Sequence, residues 1–144
     1  MANGVLLEGH GRLLRKLRRL PQTVQRRVMR PAVSKALTPV NRDAKRRAPR
    51  ATGLLKKSIG KKVKVYRHSG TVWGAVGVRR GYKARMPDGR YRDPDKYAHL
   101  VELGTQHSPA QPFLRPAMDA NRERALAILA DTVRAGLAKE AAKA

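Results

Sequence analysis

The sequence predicts an α+β fold: a small antiparallel sheet with a β-hairpin arm, packed against a long kinked N-terminal helix and a long C-terminal helix. Three observations predict it. Apolar residues recur at four-residue steps from Val24 to Ala44, the period drops to two between Lys62 and Val78, and steps of three and four return from Leu114 to Leu137. That order places helices over one face of a short antiparallel sheet. At 144 residues there is room for a single domain, 1–144, with one modest core.

The elements follow in order. Val5-Leu6-Leu7-Glu8 suits a short edge strand closed by Gly9 and Gly11. Leu13, Leu14, Leu17 and Leu20 mark one face of a helix that Pro21 breaks. The longer helix runs through Val24, Val28, Ala32, Ala36, Val40 and Ala44, with Arg and Lys on its other face. Pro31 and Pro39 interrupt it, so kinks or a split are expected, and Pro49 ends it by forcing Ala48 out of the helical region.

After a turn at Thr52-Gly53, Lys62 to Tyr66 alternates charged and apolar side chains, as a half-buried strand does. His68-Ser69-Gly70 is turn chemistry, and Thr71 to Val78 completes a hairpin. Its glycines imply close approach by a helix or a neighbouring subunit. Residues 79–96 form a basic arm around the tight-turn sequence Met86-Pro87-Asp88-Gly89. Pro112 suits the first position of the last helix, whose inner face reads Leu114, Ala117, Met118, Asn121, Ala125, Ile128, Leu129, Thr132, Val133 and Leu137. That helix is expected to end near Gly136 or fray into the tail at 138–144.

Charge narrows the function. The net charge is +23, and Gly11 to Arg67 holds 20 Lys and Arg against a single acid, Asp43. Such a half-molecule repels itself unless a polyanion, an acidic partner or salt screens it. Arg26, Arg27, Arg30, Lys45, Arg46 and Arg47 are suited to sequence-blind phosphate contacts, or to a solvated surface. In the arm, Arg79, Arg80, Lys83, Arg85, Arg90 and Arg92 interleave with Tyr82 and Tyr91. They fit DNA, with tyrosines stacking on bases, or a partner protein, with tyrosines packed against a neighbour.

Enzyme chemistry finds no foothold. His10, His68, His99 and His107 lie in separate segments without ligand spacing, and the chain has no cysteine. His99 and Glu102 stand three residues apart, an arrangement common in surface pairs. Asp88, Asp93 and Asp95 lack the Gly and Glu positions of a calcium loop and are explained by turns. No nucleophile motif, phosphate loop or dinucleotide fingerprint is present, so no catalytic, cofactor or metal residue is assigned. Gly11 to Leu20 has the look of a basic membrane-surface helix but runs straight into further patterned helix. No run approaches the ~18–20 apolar residues of a membrane span.

Three motifs stand out in order. The first is Lys45, Ala48, Pro49, Thr52, Gly53, Leu54, Leu55, Ser58 and Ile59; the second is Tyr97, Ala98, Val101, Glu102, Gly104 and Thr105; the third is the unbroken Pro109-Ala110-Gln111-Pro112-Phe113-Leu114-Arg115-Pro116-Ala117. Together, after a Gly-x-x-x-Leu opening near Gly9 to Leu17, they resemble the HK97-like family of phage neck, head–tail joining and tail-completion proteins, tail terminators among them. The resemblance spans about residues 5–135.

The resemblance implies a non-enzymatic virion protein, without cofactors, that forms a sixfold or twelvefold ring at the head–tail junction. Such rings complete or terminate the tail and join it to the head connector, with DNA passing through. The implied partners are sister copies, connector or stopper proteins, tail-tube or terminator proteins and packaged double-stranded DNA, with assembly in the host cytoplasm. It implies that Tyr97, Phe113 and Trp73 pack a loop or a subunit boundary and that Glu102 pairs with an arginine within or between subunits. The rival reading is a stand-alone, sequence-blind nucleic-acid-binding protein, which accounts for the charge but not for the ordered motifs.

Overall fold

A computed structural model describes residues 15, 19–50 and 52–143. The expected strand at Val5–Glu8 and nearly all of the helix through Leu13 and Leu17 lie outside the described residues. Helix α1 spans Gln22–Ala36 and α2 spans Thr38–Arg47. The short α3, Leu54–Ser58, leads directly into a hairpin of β1, Ile59–Val65, and β2, Val72–Val78. The arm carries β3, Ala84–Arg85, and β4, Tyr91–Arg92. A 3-10 turn at Pro94–Lys96, the helix α4 at Ala98–Leu103 and the helix α5 at Leu114–Lys143 complete the chain. The architecture is α+β.

The split in the N-terminal helix falls at Leu37, between the two prolines. Pro31 sits inside α1 on an exposed position and does not break it, since the loss is confined to one backbone hydrogen bond on the outer face. Pro39 lies in the first turn of α2, where an N–H would lack a helical partner anyway. Ala48 is extended (ψ 135°), so α2 stops at Arg47 as the following proline requires.

Strands β1 and β2 pair antiparallel from Ile59↔Val78 to Val65↔Val72. Alternation sends Val63, Val65, Val72, Val76 and Val78 toward the helices and Lys62, Lys64, Trp73, Ala75 and Gly77 outward. Gly74 belongs to the inner set. A methyl group there would stand 2.5 Å from Val33 Cγ1 and 2.7 Å from Leu37 Cδ1, so its lack of a side chain lets α1 rest on the strand. Gly77 has open space around it, so of these two hairpin glycines only Gly74 is explained by a helix.

Two apolar clusters hold the layers together. One joins Val40, Ala44, Ala48, Leu55, Ile59, Ala98, Phe113 and Ala117. The other joins Val28, Ala32 and Val133, flanked by Val24, Met29, Leu129 and Leu137. Helix α5, about 45 Å long at 1.5 Å per residue, contributes to both. It starts at Leu114 rather than Pro112, and it passes through Gly136 instead of ending there. A methyl group on Gly136 would meet Val28 Cγ1 at 2.9 Å. Gly136 thus serves as a close-approach point between α5 and α1, and the neighbouring helical turns outweigh its weak propensity.

Candidate functional site

The three motifs converge on one corner of the fold. Gly53 adopts the left-handed conformation (φ 72°) and turns the chain from α2 into α3. Leu54 and Leu55 are both buried, so the doubled leucine fills the core twice over. Ser58 is fully buried and donates its hydroxyl to Leu55 O at 2.6 Å. The second motif forms α4 and ends at Gly104 (φ 79°), where a methyl group would stand 2.7 Å from the backbone nitrogen of Ala110. The loop folds back there, and Gln111 N–H donates to Val101 O at 2.8 Å.

Glu102 closes this corner. Its Oε2 accepts the backbone N–H groups of Phe113 (2.8 Å) and Leu114 (3.1 Å), and its Oε1 accepts that of Arg115 (3.0 Å). The first N–H groups of a helix lack partners within it and carry partial positive charge, so a carboxylate is well matched to them. Within the single chain its partners are the start of α5 rather than an arginine, because Gly104 brings the two segments back to back. Phe113 is fully buried at the centre of the larger cluster, with half-buried Tyr97 beside it. Desolvation raises the Tyr97 phenol above its ordinary pKa, with Arg92 opposing and Asp93 adding to the rise.

Trp73 lies elsewhere. It is 42% exposed on the outer face of the hairpin, opposite Lys64. Leu103 on α4 is 77% exposed and Tyr91 on the arm 70%.

The arm is a hairpin closed by Met86 N–H to Arg90 O (2.8 Å) and Gly89 N–H to Met86 O (2.9 Å). Asp88 accepts from Arg90 N–H and Asp93 from Asp95 N–H, so these acids shape turns. Arg79 is tied inward: its Nη2 donates to Lys57 O (2.7 Å), its Nε to Ser58 O (3.3 Å), and it stacks on Tyr82. Arg80 stands 4.0 Å from Asp95, while Lys83, Arg85, Arg90 and Arg92 are exposed. The arm therefore presents mixed charge and an uncovered aromatic ring.

Asp43, 5% exposed, is bound by Arg46, by Arg47 Nε (3.0 Å) and by Asn121 Nδ2 (2.8 Å). Burial pushes its carboxyl up, but the hydrogen bonds from Arg47, Arg46 and Asn121 outweigh it and hold the group below the ordinary value. This α2–α5 link was not assigned from sequence, although the one acid in a run of 20 cations was its signal. Arg46 and Arg47 are thereby engaged in structure. Arg30 and Lys61 meet at an open groove between α1 and β1, a juxtaposition no sequence spacing reveals.

Among the described residues no group of three or more His, Cys, Asp or Glu is placed to hold a metal, and no helix is long and apolar enough to cross a membrane. The polar groups that the motifs bring to this corner cap helices and turn the backbone. Residues 11–104 match the family described as "Bacteriophage HK97-gp10, putative tail-component". The chain belongs to this HK97-gp10-like family of phage tail components. The match includes the first motif and the second as far as Gly104, and stops short of Pro109–Ala117. No curated protein and no solved structure gives a significant match.

Proposed function

We propose that this chain is a non-enzymatic subunit of a homo-oligomeric ring at the head–tail junction of a tailed phage. In that role it completes or terminates the tail, joins it to the head connector and surrounds the DNA passage, after assembly in the host cytoplasm. The observation that carries this reading is family membership over residues 11–104, which makes the chain a tail component. The structure supports it physically. The motif residues spend their polar groups on capping and turning the backbone, leaving the outer hairpin face with Trp73 and the arm with Tyr91 as uncovered aromatic surfaces. Aromatic anchors of this kind are enriched where proteins bind one another.

Within this reading Trp73 faces a sister copy. The arm, through Arg80, Lys83, Arg85, Arg90 and Arg92, contacts an adjacent connector or tail-tube ring. Its acids Asp88, Asp93 and Asp95 make it less suited to DNA than to a protein of mixed charge. Electron microscopy of particles made without this protein tests the role. Filled heads and unattached tails are expected, and normally joined virions would overturn it. A purified chain that stays monomeric and only binds DNA would favour the stand-alone nucleic-acid-binding reading instead.

A further inference from the structure

The groove between α1 and β1 gathers cations that no acid among the described residues pairs. Strand β1 runs back along α1. At one end Arg26 donates to Arg67 O (3.3 Å). Further along, Arg30, Pro31 and Ser34 face Lys61 and Val63 across an open groove of about 410 Å³. At the other end Lys61 Nζ donates to Ser34 O (2.8 Å) and Thr38 Oγ1 (2.9 Å). These are neutral acceptors, and an ammonium has three N–H donors, so one remains. Arg30 and Arg67 are exposed, and neither guanidinium has an ion-pair or hydrogen-bond partner among the described residues. The one acid of the surrounding run, Asp43, is turned to α5 and held by Arg46, Arg47 and Asn121.

We infer that this groove is a binding site for the phosphodiester backbone of double-stranded DNA, with Arg30 and Lys61 on one phosphate and Arg67 on a neighbouring one. Lys61 is held in place by Ser34 and Thr38, so its charge is presented without first being ordered by the ligand. Along the helix–strand seam the Lys61 anchor on Ser34 and Thr38, the Arg30 lining and the Arg26–Arg67 contact succeed one another, an order that suits a linear polyanion. The groove also lacks a buried aromatic or aliphatic anchor of the kind that dominates protein–protein contacts, its apolar lining being Pro31 and Val63. The contact reads backbone charge and not sequence. It does not depend on ring assembly, and it separates the DNA contact from the arm.

The test uses the full chain and a fluorescein-labelled mixed-sequence 24-base-pair duplex, with anisotropy followed across a salt series. Arg30→Gln with Arg67→Gln removes two contacts while leaving Lys61 and its partners in place. The slope of log affinity against log salt should become shallower by about 2, and affinity near physiological salt should fall about 10- to 30-fold. Arg85→Gln with Arg90→Gln, in the arm, should leave both nearly unchanged. Unchanged thermal midpoints show that each variant is folded, and Lys61→Met serves as a second groove variant. The inference is overturned if the groove variants bind as the parent does, or if the arm variant loses as much. It is equally overturned if polyglutamate, standing in for an acidic protein surface, displaces the duplex at matched charge concentration. Loss of DNA binding in the groove variants with normal rings, or the reverse, distinguishes this site from the structural role.

Discussion

Glu102 accepts the backbone N–H of Phe113 at 2.8 Å, so the last acid of one motif fixes the first turn launched by the next. The same carboxylate also holds Leu114 and Arg115, which orients all of α5. Replacing it with alanine strands three N–H groups and should cost about 1–2 kcal/mol. For a chain of this size that lowers the thermal midpoint by roughly 3–10 °C. Glu102→Gln, which keeps one acceptor oxygen and no charge, should fall between. Circular dichroism melts check this, and an unchanged midpoint for Glu102→Ala would count against the cap.

Gly74 and Gly77 should respond in opposite ways to the same change. Gly74→Ala drives a methyl group into Val33 and Leu37 and should cost about 1–3 kcal/mol through overpacking. Gly77→Ala meets nothing within 4 Å and should lie within about 0.5 kcal/mol of the parent. Urea unfolding of the two variants compares them directly. Equal losses would show that α1 does not rest on Gly74.

Asp43 makes stability depend on acid. Its folded-state pKa lies below the ordinary value of 3.8, so its contribution is present above that value and is lost as pH falls through the folded one. Asp43→Asn should lower stability at pH 6 by about 1–3 kcal/mol, because hydrogen bonds to a charged group are replaced by weaker ones. Between pH 6 and pH 3 the variant should lose less than the parent. Denaturant midpoints at both values measure the difference, and parallel losses would contradict it.

The one tryptophan is a natural reporter of assembly. Trp73 is 42% exposed in the single chain, so its emission should shift to shorter wavelength if sister copies bury the outer hairpin face. The shift should track the appearance of oligomer in light scattering as concentration rises. Oligomer formation with unchanged emission would place the subunit boundary elsewhere.

Periodicity made the long elements legible. The inner face of α5 needs only apolar residues at steps of three and four, and every residue named for it from Leu114 to Leu137 is buried or half-buried. The hairpin was equally open to reading, since Lys62 to Val65 alternates cleanly. The short helices α3 and α4 were not, because five or six residues complete too few turns to display a period. Gly136 misled for a different reason: its propensity argues for a stop, while its contact with Val28, 108 positions away, argues for continuation. The corner was half legible. Pro and Gly marked where the chain turns, but which donor Glu102 serves depends on a fold-back at Gly104 that no local pattern encodes. The groove at Arg30 and Lys61 was hidden altogether, since it exists only once β1 lies along α1.

Helices α1 and α2 both bury their inner faces on α5, which is synthesised well after either of them. Helices α1 and α2 therefore emerge strongly cationic and without their packing surface, and their one acid, Asp43, waits for Asn121. Formation of α5 closes both apolar clusters and gives Asp43 its amide partner in a single step. A chain cut before Leu114 leaves both apolar clusters open and is therefore expected to aggregate rather than to fold.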